Sequence, residues 1–205
     1  MTTLVMFSGG LDSTAVLARL LSETQDDLRV HHIRMRNREG RADAEKAAVD
    51  AIVAWCAKHY RSFRFSQSGL DFSELGAIPI DYLSVAYVAC QVAIDTPGCN
   101  RIAVGTLARD LDEMKRSVCD AQRRVFTAMY ECYRARKLGE AKVDWIYPVY
   151  SMSKPQIASF LGSELRDMTW SCRRPLHTAT GYQRCGNCKP CRARTDLSAA
   201  LDSKP

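Results

Sequence analysis

Short apolar or alternating runs recur along the chain, separated by longer stretches that carry an apolar residue every three or four positions. The short runs predict strands, at residues 4–7, 29–35, 61–65, 101–104 and 146–149. The longer stretches predict helices, at residues 11–21, 44–56, 80–94 and 113–136. A further helix is expected from Ser153 to about Gly162, because Ser153 before Lys154-Pro155 suits an N-cap followed by an early proline.

This alternation of strands and helices predicts an α/β fold with a doubly wound parallel sheet. In such sheets ligands bind beyond the carboxyl ends of the strands. We expect two parts: an α/β domain over residues 1–165, and a small cysteine-containing segment over residues 166–205 that packs on it.

The turn after the first strand has the composition of an anion-binding loop. It consists of Ser8-Gly9-Gly10-Leu11-Asp12-Ser13 and opens directly into a helix. Glycine allows close backbone approach to an anion, and a helix start presents unpaired amides. The two serine hydroxyls suit phosphate oxygens, whereas Asp12 would either cap the helix or help to hold Mg²⁺. The loop therefore predicts phosphate binding.

The hexapeptide differs from the common nucleotide-binding motifs. It lacks the Gly-Lys-Ser/Thr of a P-loop NTPase and is not Gly-x-Gly-x-x-Gly. It resembles the Ser-Gly-Gly-x-Asp-Ser motif of the N-type ATP pyrophosphatases, the PP-loop superfamily, which transfer AMP to a carbonyl oxygen while pyrophosphate leaves. In that family a late lysine also reaches the phosphates, and Lys154 stands at the corresponding place.

Four cysteines near the C-terminus have the spacing of a metal site. They follow the pattern C-x12-C-x2-C-x2-C, and the set comprises Cys172, Cys185, Cys188 and Cys191. Gly186 permits the tight turn that brings the thiolates together, and four sulfur ligands with no open position favour structural zinc. An iron-sulfur cluster is the main alternative.

Composition adds limits rather than detail. Apolar residues make up 46% and charged residues 25% of the 205 residues, as in ordinary globular proteins. No apolar run approaches the roughly 20 residues that span a bilayer, and no basic leader precedes the first strand, so a cytoplasmic protein without a membrane partner is expected. The net charge of +6 suits either a polyanion or an ATP site on an ordinary surface.

Taken together, the loop and the cysteine tail resemble 7-cyano-7-deazaguanine (preQ0) synthase. The resemblance extends over nearly the whole chain and includes Tyr147-Pro148-Val149 and Arg194. The resemblance implies an adenine nucleotide alpha hydrolase-like fold and a carbon-nitrogen ligase of queuosine-type biosynthesis. Its substrates would be 7-carboxy-7-deazaguanine, ammonia and ATP, its ions Mg²⁺ and zinc, and a homodimer would be compatible.

The same resemblance implies roles for individual residues. Catalysis would fall to Ser8, Asp12, Ser13 and Lys154. ATP would contact Lys154, Gly105 and the segment formed by Phe7, Ser8, Gly9, Gly10, Leu11, Asp12, Ser13 and Thr14. Asp12, together with Asp110 after the strand that ends at Gly105, would orient Mg²⁺.

Two segments depart from the family pattern and leave the acceptor open. An Asp-Tyr-Gly-Gln-like stretch is replaced at residues 34–40, and an Arg-Asn pair is replaced at residues 80–84. The alternatives are a divergent ligase for another carboxylate and an enzyme that adenylylates a tRNA base, with Arg123 and Arg124, followed by Arg134-Arg136-Lys137, gripping phosphates. The lack of a separate RNA-binding module argues against nucleic acid as the direct substrate, and a non-enzymatic zinc-ribbon module is the alternative from another class.

Overall fold

Five parallel strands form the central sheet of the computed structural model, which describes residues 1–108, 113–134 and 143–202. The strand order is β3-β2-β1-β4-β5. The strands are β1 (Thr2–Met6), β2 (Asp27–Arg36), β3 (Arg64–Asp71), β4 (Cys99–Ala103) and β5 (Asp144–Ile146). The predicted doubly wound α/β fold is therefore confirmed.

Helices cover both faces of this sheet. They are α1 (Leu11–Glu23), α2 (Ala42–His59), α3 (Asp81–Ile94), α4 (Glu113–Arg134) and α5 (Lys154–Met168). One core lies under α1, α2 and α5, with Leu17, Ile52 and Ile157 fully buried, and the other lies under α3 and α4. The side chains of β1 therefore pack into the apolar core on both faces of the sheet, as expected for a strand at the centre of a parallel sheet.

The sheet reverses its order of winding at β1. The chain runs outward through β2 and β3 on one side, then crosses to β4 and β5 on the other. Val5 accordingly pairs with Val30 on one side and with Ala103 on the other. The loops after β1 and β4 meet at this switch point, where doubly wound sheets bind ligands.

The tail beyond α5 contains a two-stranded antiparallel ribbon and a helix. These are β6 (Leu176–Thr178), β7 (Gly181–Gln183) and α6 (Lys189–Asp202). A small core joins the tail to α2, since Trp170, Cys172 and Cys191 pack against Ala44 and Ala48.

Candidate active site and metal centre

The loop after β1 is shaped by its glycines. Gly9 has a φ of +72°, and a Cβ there would lie 2.8 Å from Val49 Cγ2, so both the backbone and the space favour glycine. Gly10 is the N-cap of α1 and offers no side chain to the helix start. Thr14 N makes the first intrahelical backbone bond, 3.0 Å to Gly10 O, and Gly10 N donates to Ser8 Oγ at 3.3 Å. Gly10, and not Asp12, is therefore the residue at the N-cap position. The possibility that Asp12 caps the helix is therefore wrong.

The two serines of the loop have different settings. Ser8 is exposed and Ser13 is buried, and their hydroxyl oxygens lie 3.0 Å apart. The Ser13 hydroxyl donates to Gly10 O at 3.1 Å and accepts from Ser8 N at 3.3 Å. The two predicted serines therefore lie together. Ser13 holds the loop backbone through its hydrogen bonds, and Ser8 faces solvent.

Asp12 and Lys154 meet across the switch point. The Lys154 ammonium lies 2.7 Å from Asp12 Oδ1 and 2.5 Å from Oδ2. Ser153 caps α5 with a capping box to Gln156, which fixes where Lys154 leaves the helix start. Both side chains remain partly exposed. The predicted late lysine therefore reaches the loop.

Gly105 closes the site from the β4 side. A Cβ built on it would lie 2.8 Å from Ser13 N and 2.9 Å from the carbonyl carbon of Asp12. The backbone after β4 consequently touches the first turn of α1 at a distance that only glycine allows. Asp110, the second predicted Mg²⁺ ligand, lies outside the described residues.

A cluster of ion pairs that the sequence did not predict joins the two divergent segments. Arg41 contacts three carboxylates, at 2.7 Å to Glu39, 2.7 Å to Glu45 and 2.8 Å to Asp81. Arg173 in the tail adds a contact of 3.0 Å to Glu39. Burial raises the pKa of Glu45 to about 7, although Arg41 acts in the opposite direction. The only signal in the sequence was the density of charge around residues 34–45.

A buried histidine on β2, which the sequence did not single out, lies at the base of the loop. His32 is buried, and its Nδ1 lies 3.0 Å from Phe7 O. Because a carbonyl only accepts, Nδ1 must carry the proton. Burial lowers the pKa of His32, which keeps the ring neutral beneath the loop.

The four predicted metal ligands come together in the tail. The Sγ atoms of Cys172, Cys185, Cys188 and Cys191 all lie within 4.8 Å of one another. Burial opposes ionisation of Cys185, but hydrogen bonds from the Cys188 and Asn187 amides lower its pKa to about 6.

This spacing fits a single ion. Tetrahedral coordination with zinc-sulfur bonds of about 2.3 Å places sulfur atoms roughly 3.8 Å apart. The Cys185–Cys191 and Cys188–Cys172 Sγ distances are both 4.0 Å. A four-iron cluster attaches each thiolate to a different iron and therefore holds its sulfurs farther apart. The donor set thus suits one thiophilic ion.

The metal centre is tied directly to the loop. Trp170 N donates to Gly9 O at 2.8 Å, and Trp170 Nε1 donates to Cys172 O at 3.0 Å. Arg184 lies over the Trp170 ring and donates to Thr169 O at 2.7 Å. Trp170, two residues before the first cysteine of the cluster, therefore holds the backbone of Gly9.

Comparison with known proteins establishes the fold. No family model and no curated protein sequence matches the chain. Among solved structures it is similar to the U34-tRNA thiolase NcsA from Methanococcus maripaludis with its 4Fe-4S cluster, with a TM-score of 0.53 and 16% identity. The match covers 98% of this chain and 64% of the thiolase chain. The two proteins share the α/β architecture over almost all of the present chain.

Nothing in the described part of the chain would cross a bilayer as a helix: every helix there is either too short or too polar.

Proposed function

We propose that the chain is an ATP-dependent enzyme that adenylylates its acceptor at the loop from Ser8 to Ser13. The carrying observation is the Asp12–Lys154 pair, which places a carboxylate and an ammonium within 2.7 Å at the mouth of a glycine-serine loop at the switch point. An ATP pyrophosphatase needs this combination, because the departing pyrophosphate requires cations and amides, and its metal requires a carboxylate. The shared fold supports the proposal.

Each residue has a distinct task in this proposal. Gly10 and the amides at the start of α1 would hold the β- and γ-phosphates, and Ser8 would donate a hydroxyl to them. Lys154 would leave Asp12 for the phosphates, which frees Asp12 to orient Mg²⁺. That ion would neutralise charge on the phosphate oxygens. The protein's contribution is positioning and charge neutralisation.

For the acceptor we propose 7-carboxy-7-deazaguanine, on the strength of the family resemblance. Its carboxylate would attack the α-phosphorus of ATP, and pyrophosphate would leave. Ammonia would displace AMP to give the amide. The amide oxygen would then attack a second ATP, again releasing pyrophosphate, and loss of AMP and a proton would leave the nitrile.

The test is a reaction mixture of protein, ATP, Mg²⁺, ammonium and 7-carboxy-7-deazaguanine, with products read by mass spectrometry. We expect two AMP for each nitrile formed, and no AMP from the Asp12→Ala variant. The matched control is Asp50→Ala, which removes a carboxylate that pairs with Lys46 on the exposed side of α2. Absence of both AMP and nitrile from the unmodified protein would refute the assignment. AMP formed equally with and without the acid, and neither amide nor nitrile, would refute only this acceptor.

Adenylylation of a tRNA base is the second candidate. The observation in its favour is the fold shared with the U34-tRNA thiolase over 98% of this chain. Replacing the deazapurine acid by unmodified tRNA in the same assay separates the two. Pyrophosphate release that requires tRNA, and none with the free acid, would select this candidate.

We further propose that the ion of the four-cysteine centre is zinc and that its role is structural. The sulfur-sulfur distances of 4.0 Å support a single ion. Emission spectroscopy of the purified protein should give one zinc per chain and a colourless solution. Stoichiometric iron with visible absorption would show that the site holds an iron-sulfur cluster instead.

A further inference from the structure

The tail concentrates the positive charge of the whole protein. From Thr169 to Thr195 the sequence has no Asp or Glu and six basic residues, which are Arg173, Arg174, Arg184, Lys189, Arg192 and Arg194. The net charge of the entire chain is +6. The rest of the chain is therefore close to neutral, and a charge asymmetry of this kind acts on partners rather than on the fold.

Two of the six cations have structural tasks. Arg184 stacks on Trp170 and donates to Thr169 O at 2.7 Å. Arg194 donates to Thr169 Oγ1 at 3.2 Å and to Asp167 at 3.1 Å. Both hold the start of the tail against the end of α5, so they are not available to a partner.

The other four cations line one groove. Its volume is about 760 Å³, and its cationic lining consists of Arg173, Arg174, Lys189 and Arg192. Arg174, Lys189 and Arg192 are exposed, and within the described residues the side chains of Arg174 and Lys189 form no ion pair. Lys189 also begins α6, whose N-terminus adds a partial positive charge.

The negative groups near the groove do not cancel this charge. Glu39 is the one carboxylate in its lining, and it pairs with Arg41 and with Arg173, which also lies 3.6 Å from Asp81. Arg173 is therefore committed to these carboxylates, which leaves Arg174, Lys189 and Arg192 as the cations open to a partner. Cys188 also lines the groove, and a zinc ion held by four thiolates would carry a formal charge of −2. The three exposed cations, Arg174, Lys189 and Arg192, exceed that charge. The groove therefore presents a net positive charge to a partner.

The groove also lies close to the loop from Ser8 to Ser13. The Ser171 hydroxyl is 4.0 Å from the position of a Cβ on Gly10. Arg173 follows two residues later, and two residues of extended backbone span only about 7 Å. A polyanion in the groove would thus pass beside the loop.

We propose that this groove binds the phosphodiester backbone of a nucleic acid strand. Three exposed cations, Arg174, Lys189 and Arg192, line one groove of about 760 Å³, which suits contact with several phosphates. A site for a single phosphate would instead bring buried donors together at one point. Sequence-independent backbone binding needs no more than such cations, since its free energy comes from counterion release. The proposal goes beyond the proposed function, because this binding requires neither ATP nor adenylylation.

The experiment measures binding of a labelled single-stranded RNA of about 20 nucleotides by fluorescence anisotropy, between roughly 0.05 and 0.2 M salt. The test variant is Arg174→Gln with Lys189→Gln. Each phosphate contact contributes about 0.7 to the slope of log K against log salt, so we expect the slope to fall by about 1.4 and the affinity at 0.1 M salt to fall about 25-fold. Release of pyrophosphate with free deazapurine acid should be unchanged, which separates this test from that of the proposed function.

The matched control is Lys58→Gln with Arg64→Gln, which removes two exposed cations outside the groove. It should retain at least half of the RNA affinity. Equal losses in both double variants, or no RNA binding by the unmodified protein, would overturn the proposal. Polyglutamate that competes as well as RNA would show an acidic protein surface as the partner and would also overturn it. Arg174→Gln with Arg192→Gln gives a second comparison if Lys189→Gln lowers the metal content.

Discussion

Lys154 reaches Asp12 from the start of α5, and the partial exposure of both side chains limits what this ion pair contributes to folding. Exposed pairs stabilise proteins by at most about 1 kcal/mol. Lys154 lies at the loop from Ser8 to Ser13, so under the proposed function its loss should affect catalysis more than folding. Loss of one charge-stabilising donor lowers an enzyme's rate by about 100-fold or more.

We therefore predict that Lys154→Ala lowers ATP-dependent pyrophosphate release by about 100-fold while shifting Tm by less than about 4 °C. Lys46→Ala is the control, since Lys46 forms a comparable surface pair with Asp50 at 2.5 Å. It should leave the rate unchanged. A rate for Lys154→Ala equal to that of Lys46→Ala would contradict a role at the phosphates.

Gly105 limits the site in a different way, through space rather than charge. An added methyl would lie 2.8 Å from Ser13 N, and backbone atoms of a helix start cannot move aside as a flexible side chain would. We predict that Gly105→Ala destabilises the protein by about 1–3 kcal/mol and weakens ATP binding, measured by chemical denaturation and calorimetry. Gly76→Ala is the control, because a Cβ on Gly76 meets nothing within 4 Å. Equal unfolding free energies for the two variants would disprove the close approach.

Glu45 gives a prediction that depends on pH. Burial raises its pKa to about 7, so between about pH 4.5 and 7 the folded state keeps a proton that the unfolded state has lost. Its contribution to stability therefore falls as pH rises. Burial lowers the pKa of His31 to about 4, and that group acts in the opposite direction, losing stability as pH falls below 6.5.

Because the two effects overlap, only a difference between variants isolates Glu45. Relative to the unmodified protein, Glu45→Gln should gain stability from pH 4.5 to 7, by an amount approaching 3 kcal/mol. Urea unfolding across this range measures it, with the exposed Glu74→Gln as control. A difference that does not change with pH would be incompatible with a raised pKa.

At the scale of elements, α5 illustrates how a local signal positions a functional group. Ser153 N donates to Gln156 Oε1 at 2.7 Å, and the Ser153 hydroxyl accepts from Gln156 N at 3.4 Å. Ser153→Ala should lower the free energy of unfolding by about 1 kcal/mol and reduce pyrophosphate release, because Lys154 loses its fixed starting point. Ser22→Ala within α1 serves as control for a serine outside a cap. Unchanged stability of Ser153→Ala would argue against the capping box.

The same helix shows where sequence patterns are sufficient and where they are not. Its start was predicted correctly, because the Ser-x-x-Gln cap is local. The expected end near Gly162 is confirmed locally: Gly162 has a φ of +69° and a ψ of 171°, outside the helical region. A second helical segment, which was not predicted, follows across this kink and runs to Met168. Buried Leu165 anchors this second segment, which depends on tertiary contact rather than on a local signal in the sequence.

Strands with a local apolar pattern were also predicted better than strands without one. The central β1 was predicted from its apolar run, within one or two residues at each end. The edge strand β3 extends from Arg64 to Asp71 and was expected at residues 61–65, because Ser66 and Ser68 point to His31 and interrupt any apolar pattern. The tail elements β6, β7 and α6 escaped prediction since cysteines, rather than apolar periodicity, assemble them.

Some residues of the candidate site could be predicted from the sequence and others could not. The phosphate loop, Lys154 and the cysteines were all predictable, because each is a contiguous motif or lies beside one. The cluster around Arg41 was not, since Asp81 and Arg173 come from distant parts of the chain and only folding brings them to Arg41 and Glu39.

For the whole molecule, the metal centre should act on ATP binding as well as on stability. Cys188→Ser is predicted to lower metal content, Tm and ATP affinity together, because Trp170 links the centre to Gly9. Calorimetry and metal analysis of the same samples test this. Cys132→Ser, at an exposed cysteine outside the cluster, is the control and should change none of the three. Full ATP affinity in a metal-free Cys188→Ser protein would show that the two regions are independent.

The hydrogen bond from Trp170 to Gly9 also has a consequence for the order in which the protein matures. Translation makes Gly9 long before Trp170, whose backbone amide donates to the Gly9 carbonyl. A nascent chain could form β1, α1 and β2 while the Gly9 carbonyl still faces water. Under the proposed function, competence to bind ATP would then arise only after Trp170 and the four cysteines have been synthesised.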